Sequence, residues 1–570
     1  MNPCSHRHTR TLPRHPDLFE ENRIHAEPPI TAFQPRAAYN RDNVTLELLE
    51  ILVGSTQVQD SMVVYGLLKE KKKVIPEQLK QGLLELVAFY NEEEAEEEGF
   101  EARGVLREVA ARWRQGGFAE VLYSEAGLAT EGGRLAMLLG YARHRNTKGA
   151  QQMWQECQAN GDILPLEAHH AFLASLPEER LEKNMAAVRD VLGKLAEKKI
   201  QPTTETLVTV LQVLTTTARG PEYQLTCTYA LDLLAEFKQA GVFISLGVYK
   251  VLLDIFVDTK ASGQKSTILV DILQALEGQD MWPAKSQEDF NFFPRAMQVA
   301  FHLHRPELSW QINQLLLTGE NLALVSHLGN SNSYYSNFLQ NVLQNDTFEQ
   351  AIDLYNQVTP HLWSPNSNYF KNLLHTIHSH GAINHIGKVY DDLALGDFAG
   401  ANKETTYDLQ QQVLQLLVAN PPEASQFEGL GEVWIDIARR IFQYLEASKD
   451  NRSFNLRFNL MAANICSMCL QIHLNQANLE DSLKVLRFSA EHSTVMPGQL
   501  SDPTLKQLGE QCVALGEAEA ALEVVAYSLN MASQTALPLA TLSHTSLQLS
   551  DSQKEYLNKL FVSDPAWKPV

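Results

Sequence analysis

The side chains of this 570-residue chain best placed to do chemistry are cations, and what they offer is contact with phosphate. Three groups stand out: Lys71, Lys72 and Lys73 behind Lys69; a strip of Lys183, Arg189, Lys194, Lys198 and Lys199; and the isolated Lys250 and Lys371. Lysine is a point charge on a flexible stem, so such sites would hold a phosphate backbone without identifying a base. The commoner role of lysines on helices is a solvated face, which competes with phosphate contact at every one of these positions. A formal net charge of -21 excludes binding nucleic acid through bulk charge and confines any contact to local basic strips.

Other constellations point to structure. Cys466, Cys469 and His473 share one helix face, but structural zinc takes four ligands and no second pair stands nearby, so buried small hydrophobes are expected. His375, His378, His380 and His385 cross a helix end at Gly381 with no carboxylate at ligand spacing, which predicts a partly exposed helix-terminal cluster. The chain has no Gly-x4-Gly-Lys-Ser/Thr loop, no His-Glu-x-x-His and no Gly-x-Ser-x-Gly elbow. We therefore expect no enzyme, no metal, no cofactor and no small-molecule substrate. Six scattered cysteines suit a reducing compartment or matrix better than a disulfide scaffold, and no run of 18 apolar residues predicts a membrane span.

The elements that must position these residues are helices. One phrase recurs at Ala150 to Cys157, Ala187 to Leu195, Ala230 to Phe237 and Ala351 to Val358, with weaker copies at Ser482 and Ala521. In the third copy Ala230, Leu233, Leu234 and Phe237 fall at i, i+3, i+4 and i+7, one helical stripe. Turns follow each copy: Asn160-Gly161 to Pro165, Lys198 to Pro202, Gly241 to Ser245, and later Trp282-Pro283 and Trp363-Ser364-Pro365. Pro165 to Pro202 is 37 residues, Pro202 to Ile244 is 42, Ile244 to Pro283 is 39, and Pro283 to Pro365 is 82, two units. Each unit then holds two helices, neither of which can bury its stripe without the next unit.

Strand signals are scarce, so the chain reads as all-α. Residues 1–43 form an extended, proline-punctuated arm; 44–125 hold degenerate helical repeats around the acidic run Glu92 to Glu98, taken as a solvated loop, with a further helix over Arg103 to Trp113. Residues 126–400 carry the clear array, and 401–570 continue it with drifted units, including helices over Leu430 to Ala447 and Leu456 to Leu474.

A helix pair closing on Gly-Ile/Val-x-Pro about every 35 residues resembles the pentatricopeptide-repeat family, and lacks the Trp, Gly and Tyr anchor of tetratricopeptide units. Within that family the chain is similar to the members found in the mitochondrial small ribosomal subunit. The segments that carry this resemblance are His15 to Pro29, Gly247 to Phe256, Phe290 to Met297, Leu315 to Asn321, Tyr334-Tyr335 and Pro365 to Phe370, in the same order.

The resemblance implies an α-α superhelical solenoid of helix-turn-helix repeats in the mitochondrial matrix. Its implied partners are small-subunit rRNA and ribosomal proteins near the mRNA entrance, with messenger passing at low sequence selectivity; a free mitochondrial RNA-binding regulator is the alternative. Family members begin with a cleaved presequence, whereas the His15 segment matches a point well inside them. In the family's RNA-reading members the fifth residue of the first helix and the last residue of the unit meet a base edge. The matching fifth positions here are Ala171, Val208, Lys250 and Lys371, and the closing positions Leu166, Thr203, Ser245 and Asn366. Alanine and valine cannot make paired hydrogen bonds, so base-by-base reading is disfavoured.

Overall fold

The structure is a computed structural model that describes residues 39–91, 112–125, 127–176, 181–215, 218, 221–257, 267–326, 328–397, 403–422, 429–448, 456–494, 498–562 and 567. Most of the expected N-terminal arm, the acidic run and residues 103–111 of the expected helix lie outside that range. The chain divides into two compact units, residues 1–243 and 244–570.

Helices start where sequence supplies a side-chain acceptor for the orphan N–H groups of the first turn. Thr45, Thr130, Asn146, Thr347, Asn366 and Ser501 each cap a helix this way. Helices stop where a residue can turn left-handed: Gly161, Gly381 and Gly516 close theirs at φ 71°, 64° and 78°.

The first unit contains α1 (Leu46–Gly54), α2 (Val58–Glu70), α3 (Glu77–Phe89), α4 (Phe118–Glu125), α5 (Glu131–Arg143), α6 (Thr147–Asn160), α7 (Leu166–Ala174), α8 (Leu181–Glu197), α9 (Thr204–Thr215) and α10 (Tyr223–Gln239). Each odd helix packs on the next odd one, α3 on α5, α5 on α7 and α7 on α9. Even helices back them, so each pair offers its first helix to one row and its second to the other. The recurring phrase at Ala150, Ala187 and Ala230 is always the second helix. In α10 the stripe holds as read: Ala230, Leu233 and Phe237 are buried and Leu234 is half-buried.

The second unit repeats the scheme with α11 (Leu246–Phe256), α12 (Ile268–Leu276), α13 (Phe292–His302), α14 (Pro306–Leu316), α15 (Leu328–Asn345), α16 (Phe348–Val358), α17 (Ser367–His380) and α18 (Ile386–Asp397). It continues through α19 (Lys403–Ala419), α20 (Leu430–Ser448), α21 (Leu456–Asn475), α22 (Leu479–Glu491), α23 (Asp502–Leu515), α24 (Ala518–Asn530), α25 (Ala536–Ser546) and α26 (Asp551–Leu560). First helices again pack in series from α11 to α25, and the second-helix row includes α22 on α24 and α24 on α26. One contiguous apolar core runs from Leu246 to Phe561. Among the described residues there is no β-strand, and no helix is long and apolar enough to cross a membrane.

Polar contacts between neighbouring units recur at the repeat period. Trp310 Nε1 donates to Asp346 across 36 residues, the Tyr355 hydroxyl donates to Asp392 across 37, and Arg439 donates to Asp481 across 42. Each ties a side chain to the equivalent region one unit on, so these bonds set the stagger between successive pairs.

Candidate nucleic-acid interface

Of the cations singled out from sequence, Lys71, Lys72 and Lys73 occupy the turn between α2 and α3, and Lys198 and Lys199 the corresponding turn between α8 and α9. Lys72 and Lys199 sit at φ 54° and 56°, the left-handed conformation that Gly161 and Gly241 adopt in equivalent turns. A side chain there costs roughly 1–2 kcal/mol relative to the usual basins, so glycine would be the easier choice. Lys72, Lys73 and Lys199 are exposed. Three other members of the strip are engaged on the protein. Lys194 pairs with Asp190 at 2.5 Å and lies over the Trp154 ring, Lys198 Nζ donates to the Asp162 carbonyl at 2.9 Å, and Arg189 stacks over Tyr229. All belong to α8, a second-row helix, and its closing turn.

Lys250 and Lys371 face the next unit. Lys250 Nζ is 2.7 Å from Glu288 and 3.1 Å from Asp254, and Arg295 Nε reaches Asp254 at 2.7 Å. Burial opposes the charge on Lys250, but the two carboxylates outweigh it and hold its pKa above the ordinary lysine value. Lys371 Nζ lies 3.5 Å from Asp408 in the following first helix.

These contacts correct the register of the first reading unit. Counted from the first helical residue, as Val208, Lys250 and Lys371 are, the fifth position of α7 is His170 and not Ala171, and the residue ahead of the helix is Pro165 and not Leu166. Proline cannot donate to the first turn and simply precedes it, which moved the count by one. His170 Nε2 lies 2.9 Å from the Thr206 hydroxyl, one unit on, the same kind of link as Lys250 to Glu288. Val208 is fully buried. Each of these four fifth positions is thus either core or joined to its neighbour.

Closing positions are similarly committed. Ser245 is buried and donates to Asp289 at 2.6 Å; the same carboxylate accepts the backbone N–H groups of Gly247, Lys285 and Ser286. The Asn366 side chain caps α17 by accepting from Tyr369 N, and Thr203 exchanges hydrogen bonds with Thr206.

Away from these rows, Cys466 and Cys469 are fully buried, and burial pushes the Cys466 thiol up to about 12. His375, His378 and His380 are exposed at the end of α17, where the His380 ring stacks on Phe348. A groove of about 780 Å³ crosses α22, α24 and α26, with Glu491, Glu519 and Tyr556 along it and a bidentate Arg487 to Glu523 pair spanning two helices.

Sequence reading missed one cationic cluster. Arg112-Trp113-Arg114 and Arg143-His144-Arg145 come together beside Phe89 and Tyr90. The signal was present as an arginine-ring-arginine triplet occurring twice, but Trp113 had been assigned to a helix; residues 112–114 are non-helical and Arg114 N donates to the Asn91 carbonyl.

An all-helical stack of paired helices, locked unit to unit at this period, defines the pentatricopeptide class of α-α solenoid. The family model described as small ribosomal subunit protein mS39, PPR, matches residues 11–146. The fruit fly (Drosophila melanogaster) small ribosomal subunit protein mS39 is 30% identical over 419 residues, covering 72% of this chain and 62% of the relative. The mouse (Mus musculus) protein of that name is 23% identical, covering 90% and 74%, and the zebrafish (Danio rerio) one 20%, covering 96% and 82%. The solved maize pentatricopeptide-repeat protein PPR10 is more distant, with TM-score 0.35 and 11% identity over 97% of this chain and 74% of that one. The chain is a pentatricopeptide-repeat protein similar to the mS39 proteins of the small ribosomal subunit. It spans just over three fifths of the fly relative's length.

Proposed function

We propose that the protein is a structural component of the small subunit of the mitochondrial ribosome, working in the matrix. There it docks on rRNA and neighbouring ribosomal proteins near the mRNA entrance and lets single-stranded messenger pass with little sequence selectivity. One observation carries this reading: the positions that would read bases are occupied by contacts within the array. His170 is joined to Thr206, Lys250 to Glu288 and Lys371 to Asp408, while Val208 and Ser245 are buried. A base edge could reach these groups only by displacing bonds that hold the units in register. The exposed Lys72, Lys73 and Lys199, with the half-buried Lys71 beside them, remain candidates for backbone phosphate, and Lys194 and Lys198 would have to leave Asp190 and the Asp162 carbonyl to join them. The names of the fly and mouse relatives support the ribosomal setting. The role requires no catalysis.

The test is sedimentation of the tagged protein through a mitochondrial lysate gradient. Co-migration with the small subunit, persisting at moderate salt, is expected. Migration in light fractions together with a defined transcript would replace this reading with that of a free RNA-binding regulator. A defined RNA bound orders of magnitude better than its scrambled sequence would remove the claim of low selectivity.

A further inference from the structure

Phe89 ends α3 and Tyr90 caps it; the two residues are 43% and 44% exposed, with their rings edge to face at 4.9 Å, where an apolar helix end would ordinarily be covered. The Arg143 guanidinium lies over the Phe89 ring, 3.7 Å from its centre. This geometry is built into the packing. His144 is buried and its Nε2 lies 3.0 Å from the Phe89 carbonyl, fixing the end of α5 to the end of α3. Trp113 packs against Tyr141 at 4.4 Å and His144 at 5.9 Å. Gly140 makes the approach possible, since a Cβ there would meet the Ala88 carbonyl oxygen at 2.8 Å.

Beside this pair Arg112 and Arg145 are exposed, and among the described residues neither of them, nor Arg143, has a carboxylate partner. Glu120, the carboxylate that meets Trp113 among the described residues, is turned to the protein, accepting from Trp113 Nε1 at 2.9 Å and Gly116 N at 2.6 Å. Exposed rings with a stacked guanidinium offer flat faces, and the neighbouring cations offer charge. Unpaired nucleic-acid bases linked by phosphates need both, whereas duplex RNA hides its base faces.

We propose that the joined ends of α3 and α5 form a stacking platform for single-stranded RNA. Unpaired bases lie on Tyr90 and on the Arg143-capped Phe89, and Arg112 and Arg145 hold the adjoining phosphates. The proposal rests on the RNA-docking function above and names a surface for it.

The test uses the full chain and fluorescence anisotropy with a labelled 12-nucleotide single strand and the same sequence as a duplex. Phe89→Ala with Tyr90→Ala should weaken single-strand binding roughly 10- to 100-fold, the range for losing a stacked base, and leave duplex binding within about twofold. Arg143→Gln with Arg145→Gln, both on the surface, should lower the salt slope by about one to two units. Phe89→Trp should retain affinity, separating loss of the ring from loss of fold. Equal losses for single strand and duplex, or unchanged single-strand binding in both double variants, would overturn the platform. So would displacement of the RNA by a peptide of the acidic sequence 92–98 at matched charge, because bases would then be irrelevant. A wild-type chain that co-sediments with the subunit yet shows no single-strand preference sinks the platform alone. Binding through the platform by a chain that sediments free sinks the ribosomal reading alone.

Discussion

Arginine behaves differently in the two units. In the second, Arg295 is paired with Asp254, Arg439 with Asp481, Arg440 with Asp391 and Arg487 with Glu523, so its guanidinium groups join one helix or pair to another. In the first, Arg134 is likewise held by Asp162 through two short bonds, yet Arg112, Arg143 and Arg145 have no carboxylate partner among the described residues. The difference teaches that total charge is a poor guide to partners here. A chain of net charge -21 still presents, among the described residues, a few arginines at one place with no carboxylate partner.

The contrast breaks most visibly at Asp289. Asp289→Ala would strand Ser245 Oγ and three backbone N–H groups in a buried site, at a cost of roughly 3–5 kcal/mol. Urea unfolding of the full chain should lose that stability while single-strand RNA binding, measured in native buffer, stays put. Next in size is Gly140→Ala, which forces its new methyl against the Ala88 carbonyl and should cost about 1–3 kcal/mol. It removes no ring and no charge, yet anisotropy should show weakened single-strand binding because the ends of α3 and α5 separate.

A pH titration sharpens the second unit's side. Burial lowers the His473 pKa to about 4, against 6.5 for the free side chain. The unfolded chain therefore takes up this proton first as pH falls, and the His473 contribution to stability should decline from pH 6.5 to about 4. Denaturant midpoints across that range should trace the decline, and His473→Gln should flatten it. The smallest effect is expected for Lys250→Gln and Lys371→Gln: RNA affinity changed by less than about twofold and stability lowered by about 0.5–1 kcal/mol, as for partly exposed ion pairs. A tenfold loss of RNA affinity in either would return the fifth position to the interface.

The helices were largely legible in sequence because two short-range signals agree: apolar spacing such as Ala230, Leu233 and Phe237, and turns marked by Gly161 or Gly241. The candidate site was not legible to the same degree. Lysines announce themselves as charges, but whether Lys250 meets phosphate or Glu288 depends on a residue 38 positions away, brought close only by stacking. The one-residue slip at Pro165 has a similar cause, since proline looks alike just before and just inside a helix. Phe89, Tyr90 and Arg143 are separated by half a hundred residues, and only the glycine-permitted contact of α3 with α5 joins them.

The links from fifth positions to the following unit bear on how such an array can be rebuilt. A solenoid whose units touch only through apolar stripes can have one unit exchanged for another like a cassette. Here His170 is matched to Thr206 and Lys371 to Asp408, so these first helices are fitted to their successors. Transplanting one unit would leave an unmatched group at both seams, whereas moving two adjacent units together would keep the inner match intact. The array is better regarded as a chain of interlocking joints than as a string of interchangeable beads.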